Sequence, residues 1–433
     1  MSCNTTSYVL GDLVELSQGL AINVKTKHVL SESGLPLLRI ADLISRQYCQ
    51  FVNPELAPKK CLAVKGDLIY TRTGQVGLIF RDQAGVIHNN SFKVIPDESK
   101  VRKDFLYWFL SQSKIKALAN DIASGSVQKD LNHSAFKSIA IELPDFDAQD
   151  RAIKVLDSID QKITLNTQTN QTLEQMAQAI FKSWFVDFDP VKAKMNGEQP
   201  EGMDAATASL FPEKLVESEL GLIPEGWSIQ TVKSLSEKIS KGTTPSKKDL
   251  ASATDEPSIR FIKVKDINDQ GEILRDKLEV IPESIHVSKL KRSILEREDI
   301  LFSIAGTIGR VAIVDQDLDN VNTNQAVAFV RLKDKQTYLP LVYMSMRENR
   351  LQQKAISSIV QGVQANLSLA NVGDMEVIVP SEDILNLWNK HYSSILQMIK
   401  SNFAQSRLLA ALRDTLLPKL LSGEIELETA KEQ

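Results

Sequence analysis

Gly66-Asp67-Leu68-Ile69-Tyr70-Thr71-Arg72-Thr73-Gly74-Gln75-Val76-Gly77 and Glu298-Asp299-Ile300-Leu301-Phe302-Ser303-Ile304-Ala305-Gly306-Thr307-Ile308-Gly309 are two versions of one pattern. Each position of the first recurs 232 residues later (66 to 298), and Asn90 is matched to Asn322 at the same separation. A second block follows at a separation of 236 (128 to 364). It pairs Gln128 and Leu131 with Gln364 and Leu367, and Pro144 with Pro380. It continues with Ile159, Ile163, Asn166, Leu173 and Ile180 against Ile395, Ile399, Asn402, Leu409 and Leu416. Solenoid repeats have periods of about 20–50 residues, so a duplication of this length implies two whole domains related by a pseudo-twofold.

Working outward, 433 residues leave room for two or three domains, and 42% apolar with 24% charged residues is an ordinary globular composition. Three cysteines (Cys3, Cys49, Cys61) without C-x-x-C spacing argue against a disulfide framework or structural zinc site and suggest a reducing cytoplasm. No apolar run has the length of a membrane span, and Met1-Ser2-Cys3-Asn4 lacks the basic start of a signal peptide, so no membrane association is expected. A net charge of −4 argues against a chain that coats nucleic acid indiscriminately. Local basic clusters remain, among them Arg260-Lys263-Lys265 and Lys289-Lys291-Arg292; each taken singly reads as a solvated face.

Short β-rich runs are expected at Leu35–Ile40, Asp67–Thr71, Leu78–Phe80 and Phe92–Ile95, then one amphipathic helix over Lys103–Ile122. The same order recurs with strands near Arg260–Val264, Asp299–Ile304, Val311–Val314 and Ala326–Leu332 and one helix near Pro340–Ser357. The fold class is therefore α/β (α+β), with two repeated domains separated by an antiparallel pair of long helices. The boundaries are 1–144, 145–200 (first long helix and connector), 201–380 and 381–433 (second long helix and C-terminal region). Met195–Phe211, rich in Gly, Pro, Ala and Glu, reads as an exposed connector.

The long helices carry a heptad seam. Positions 152, 156, 159, 163, 166, 170, 173, 177 and 180 are Ala, Leu, Ile, Ile, Asn, Asn, Leu, Ala and Ile. The matching stations are Trp388, Tyr392, Ile395, Ile399, Asn402, Ser406, Leu409, Arg413 and Leu416. Ile159, Ile163, Leu173, Ile395, Ile399 and Leu409 are the expected pairing residues, with Asn166, Asn170 and Asn402 as a polar layer that sets register. Pro144-Asp145 and Pro380-Ser381 supply matching N-caps, and Pro418 is expected to stop the second helix. At 1.5 Å per residue each helix spans about 55 Å, enough to hold two readers more than one turn of duplex apart.

Motifs for chemistry are missing. The chain contains no G-x-x-x-x-G-K-[ST], G-x-S-x-G or H-E-x-x-H, and its five histidines are scattered. The Gly74-x-x-Gly77 and Gly306-x-x-Gly309 runs lack nucleotide-loop spacing and read as tight turns between strands. No Asn-Pro-Pro-Tyr sequence of a base-flipping amino-methyltransferase occurs; Phe188-Asp189-Pro190 has only a fragment of it.

Phe181-Lys182-Ser183-Trp184-Phe185-Val186-Asp187-Phe188-Asp189-Pro190, Leu222-Ile223-Pro224-Glu225-Gly226-Trp227 and Leu416-Leu417-Pro418-Lys419-Leu420-Leu421-Ser422-Gly423-Glu424-Ile425, joined to the repeat, closely resemble the specificity subunit of type I restriction–modification systems over nearly the whole chain. That resemblance implies a non-catalytic subunit with two target-recognition domains, which binds a bipartite asymmetric site in double-stranded DNA. Its helices would set the spacer and dock two modification (adenine-N6 methyltransferase) subunits. S-adenosylmethionine would bind in those subunits and no cofactor in this chain; two restriction (motor-nuclease) subunits would complete the assembly.

Direct readout needs polar side chains on loops that enter a groove. The candidates in the first repeat are Arg72, Thr73, Asn89, Asn90, Ser126, Gln128 and Lys129. In the second they are Ser303, Asn322, Asn324, Gln325, Gln361, Gln364 and Asn366, with Lys263 and Lys265 as phosphate contacts. Asn90 and Asn322, identical in both copies, also fit a structural role. Two other readings stand beside this one: a protein-binding scaffold that uses the helices alone, and a self-sufficient methyltransferase, which the absent motifs disfavour.

Overall fold

The computed structural model describes residues 5–125, 128–275, 278–357 and 366–425. The chain forms two compact units, Met1–Thr167 with Phe403–Gln433, and Gln168–Asn402. Both are mixed α/β, and the two boundaries fall inside the long helices.

In the first unit a four-stranded antiparallel sheet runs in the order Val14–Gln18, Ser91–Pro96, Leu68–Thr71, Ile79–Phe80. In the second the corresponding order is Ser236–Lys241, Val327–Leu332, Ile300–Ser303, Val311–Ile313. The strands read as near-continuous apolar runs because both faces are covered: Leu68, Ile69 and Tyr70 are fully buried, as are Ile300, Leu301 and Phe302. Tyr70 stacks in the first core with Phe92 and Phe136.

The register between the repeats is not constant, and this corrects the alignment of Asn90 with Asn322. In the first unit Arg72 N donates to Asn90 O; in the second Ile304 N donates to Ala326 O. Ala326 is therefore the counterpart of Asn90. Likewise the parallel pair Leu37/Val86 corresponds to Phe261/Asn322, so Asn322 occupies the place of Val86. The offset arises between Val311–Ile313 and Asn322, where a 3-10 turn at Gln316–Leu318 lengthens the connection.

Each of the helices expected at Lys103–Ile122 and Pro340–Ser357 is two helices. Lys103–Ser111 and Ser113–Ile122 meet at Gln112, and Lys335–Arg347 and Asn349–Ser357 meet at Glu348; both junction residues are extended. Their side chains satisfy the backbone groups the break frees: Gln112 Nε2 donates to Phe109 O, and Glu348 accepts from the amides of Arg350 and Leu351.

The long helices span Phe146–Phe185 and Glu382–Leu421, 40 residues each. Asp145 caps the first, its Oδ1 accepting from Ala148 N at 2.8 Å. Pro418 does not stop the second, which continues to Leu421 because Leu417, Leu420 and Leu421 are buried in the first unit's core beside Ala152 and Leu156. The connector also differs from expectation. Asp204 caps a short helix at Ala205–Ser209, and Phe211 is 1% exposed, edge-on to Trp184 in the second unit's core.

Within each unit the seam pairs antiparallel segments. In the first, Ile159 is buried, Ile163 and Leu409 are half-buried, and Asn166 Nδ2 donates to Gln405 Oε1 (2.9 Å) and Ser406 Oγ (3.2 Å). In the second, Asn402 Nδ2 donates to Asn170 Oδ1 (2.8 Å) and Asn170 Nδ2 to Ile399 O (3.3 Å), with Leu173 buried and Ile395 half-buried.

Candidate nucleic-acid interface

A hydroxyl organises the same turn in both units. Thr71 Oγ1 donates to Gln75 O (2.5 Å) and accepts from Leu78 N (2.9 Å); Ser303 Oγ donates to Thr307 O (2.6 Å) and accepts from Arg310 N (2.7 Å). The turn is thereby closed by its own strand, leaving the residues between free to differ. They do: Arg72-Thr73-Gly74-Gln75 against Ile304-Ala305-Gly306-Thr307.

Two further loops are laced to this turn. Leu131 N donates to Arg72 O (2.9 Å) and Gly74 N to Lys129 O (3.0 Å), while Ser124 and Asp130 exchange backbone hydrogen bonds. In the second unit Leu367 N donates to Ile304 O (2.8 Å). The third loop, His88–Asn90, binds through Asn90 O, which accepts from Arg72 N (2.8 Å) and Thr73 N (3.2 Å); its counterpart is Asn324–Ala326. A glycine allows each of these third loops to approach the neighbouring strand end. A Cβ on Gly19 would lie 2.3 Å from His88 O, and one on Gly242 would lie 1.9 Å from Thr323 O.

Several expected base readers are committed elsewhere. Ser303 is fully buried with its hydroxyl used in the turn, so it cannot meet a base edge. Asn322 is fully buried too: it donates to Leu290 O, is bonded to His286 Nδ1 at 3.1 Å and accepts from Ser293 Oγ at 2.8 Å. A polar side chain where the first unit has Val86 needs these partners, since burying an unpaired amide costs about 1–3 kcal/mol. Arg72 and Thr73 both bond to Asp130, at 2.6 and 2.5 Å. Lys129 Nζ donates to Asn120 O. Lys263 and Lys265 share Glu279, which holds that carboxyl below its usual range, Lys263 first and Lys265 second.

Asn89 and Asn90 are half-buried, Gln128 and Asn366 exposed, and Asn324 half-buried with its Oδ1 accepting from Ala326 N. Exposed Gln325 accepts from Thr244. Ser126, Gln361 and Gln364 lie outside the described residues.

The sequence reading missed a polar group in the first unit. Gln18 Nε2 donates to Asn89 O (2.8 Å), and His133 Nε2 lies 3.0 Å from Gln18 Oε1. His88 Nδ1 meets Asn90 N at 3.3 Å. Burial pushes the His88 imidazole below its ordinary value, assisted by Arg39; burial does the same to His133, assisted by Arg72 and Lys137. The legible signal was a dipeptide, Gln18-Gly19 against Lys241-Gly242, at the ends of matched strands. Among the described residues no His/Cys/Asp/Glu group suited to a metal occurs, and no helix is long and apolar enough to cross a membrane.

Comparison with known proteins agrees with this duplicated arrangement. The type I restriction modification DNA specificity domain family matches residues 4–175 and 224–406. The type I restriction enzyme HindI specificity subunit of Haemophilus influenzae is 28% identical, covering 96% of this chain and 99% of its own. The MjaIX specificity subunit of Methanocaldococcus jannaschii is 23% identical over 96% and 92%. In fold, the S subunit of a type I restriction–modification system from M. genitalium aligns with a TM-score of 0.53 at 14% identity, over 96% of both chains.

Proposed function

The chain belongs to the type I restriction modification DNA specificity domain family, and from that premise we propose that it binds a bipartite, asymmetric duplex site with one half-site per unit. It is a specificity subunit, the non-catalytic component of such a system. The observation that carries the bipartite reading is the shared loop frame with unlike contents. The Thr71 and Ser303 turns have the same hydrogen bonds, yet Arg72, Thr73 and Asp130 stand where Ile304, Ala305 and Asn366 do. Two readers of one construction and different chemistry suit an asymmetric target.

In this reading exposed loop side chains such as Gln128, Asn89 and Gln325 address base edges, and basic side chains contact phosphates. The long helices set the distance between half-sites and dock two modification subunits. Those subunits hold S-adenosylmethionine and transfer its methyl group to adenine, and two restriction subunits join them. Against a scaffold that ignores DNA, selection from a random duplex library by the chain with its modification subunits is decisive. We expect a split motif to emerge. Exchanging residues 1–145 for those of a relative then changes one half of the motif; a change in both halves would sink the modular assignment.

A further inference from the structure

Asp130 exchanges backbone hydrogen bonds with Ser124, and both its carboxylate oxygens are used. Oδ2 accepts from Arg72 Nη2 at 2.6 Å and Oδ1 from Thr73 Oγ1 at 2.5 Å. Arg72 Nε adds a bond to Leu131 O, one residue further on, at 3.3 Å. The Arg72 side chain is 20% exposed and that of Asp130 39%, so the cluster is near the surface but partly shielded.

Lys129, next to this cluster, is also tied, giving its carbonyl to Gly74 N and its Nζ to Asn120 O. Beside Lys129 stands Gln128, exposed, with its Nε2 3.8 Å from where a Cβ on Gly74 would be. A glutamine amide offers a donor and an acceptor side by side, the pattern that matches N6 and N7 of adenine in the major groove. Such a contact discriminates only if the amide is held in one orientation, because a mobile side chain loses its preference to rotamer entropy. In the second unit the same register carries Ile304 and Ala305, whose side chains have no group to bond a carboxylate or amide.

We infer that Arg72, Thr73 and Asp130 form a specificity-positioning brace of the first unit, holding Gln128 against one base edge of that unit's half-site. The inference rests on the proposed DNA-reading function and deepens it. Arg72 and Thr73 are positioning residues, their hydrogen bonds directed at the loop, while Gln128 is the reader. The second unit reads its half-site without this brace. Gln364 matches Gln128 in the sequence, so at this register the two units differ in the brace residues and not in the glutamine.

The test is selection from a random duplex library by the full chain assembled with its modification subunits, followed by sequencing. It compares wild type, Gln128→Ala, Asp130→Asn and Thr73→Ala. Gln128→Ala is expected to lower the preference at one base pair of one half-site about tenfold, a typical value for losing one bidentate contact. Asp130→Asn and Thr73→Ala are expected to relax the same base pair with the other half-site unchanged; Thr73→Ala leaves the salt dependence of binding unaltered, whereas Asp130→Asn, which removes the carboxylate paired with Arg72, steepens it. If Asp130→Asn lowers the melting temperature, Thr73→Ala carries the test, since it installs the residue the second unit has at that register. Unchanged base preferences in Gln128→Ala or in both brace variants overturn the inference, as does relaxation at a different base pair or equally in both halves. A wild-type assembly that selects no sequence at all overturns the DNA-reading function itself.

Discussion

Asn402 and Asn170 face one another in the second unit, Nδ2 to Oδ1 at 2.8 Å, each on a different long helix, Asn170 buried and Asn402 half-buried in the seam. A buried amide pair specifies alignment at some cost in packing energy. Asn402→Leu alone removes the donor to a side chain only 7% exposed and is expected to cost about 1–3 kcal/mol. The double variant Asn170→Leu with Asn402→Leu is expected to be near neutral or stabilising, because both ends of the bond go together. Denaturant unfolding of the four members of this cycle measures the coupling; additive losses would show that the pair does not act as a unit.

The buried position of Asn322 gives a second expectation. Asn322→Val restores the residue type of Val86 but strips His286 and Ser293 of a partner. Stability should fall by about 1–3 kcal/mol. The base preferences of the second half-site should stay as they are. A changed motif with unchanged stability would return Asn322 to the list of readers.

Glu279 holds Lys263 and Lys265 together, so any phosphate drawn to these lysines would compete with it. Glu279→Gln is expected to strengthen binding to all duplexes and to steepen its salt dependence by about one to two counterions. Lys263→Ala shifts both quantities the other way. Titration of a random duplex across a salt series reads the slope directly, and identical slopes in the two variants would remove these lysines from the interface.

The imidazoles of His88 and His133 are both pushed down by burial. A group whose folded value is depressed binds fewer protons in the folded than in the unfolded chain. Its contribution to stability is then complete above the unfolded value near 6.5 and is lost as pH falls through the folded value. The first unit should therefore melt at lower temperature as pH drops below about 6.5. His88→Asn with His133→Gln should flatten that profile, measured as melting temperature against pH; an equally steep profile in the variant assigns the acid sensitivity to other groups.

A four-residue insertion near Asn166 lengthens a helix by about 6 Å while nearly keeping its rotational phase. If the helix sets the spacer, the methylated motif should keep both halves and gain one or two base pairs between them, at about 3.4 Å each. An active insertion variant with the original spacer would show that something else fixes the distance.

What was legible in the sequence was whatever local pattern dictates. The duplication, the near-continuous apolar strands at Leu68–Thr71 and Ile300–Ser303, and the seam from Ala152 to Ala177 follow from side-chain periodicity, which needs no knowledge of distant contacts. The helix breaks at Gln112 and Glu348 were not legible: neither is a proline or glycine, and the junctions are held by side-chain bonds that appear only once the chain is folded. Pro418 misled for the reverse reason, since burial of Leu417, Leu420 and Leu421 outweighs one missing amide.

The loops show the division most sharply. Sequence alone determined that two matched sets of polar loops exist and that their side chains differ. Only the tertiary structure decided which side chains remain available. Asn322 is drawn into the core by His286 and Ser293 from another part of the chain, Arg72 is spent on Asp130, and four inserted residues put Ala326 where Asn90 was aligned. Periodicity is a property of neighbours along the chain, whereas the partner of a polar side chain is chosen by residues dozens of positions away, and no local pattern records that choice.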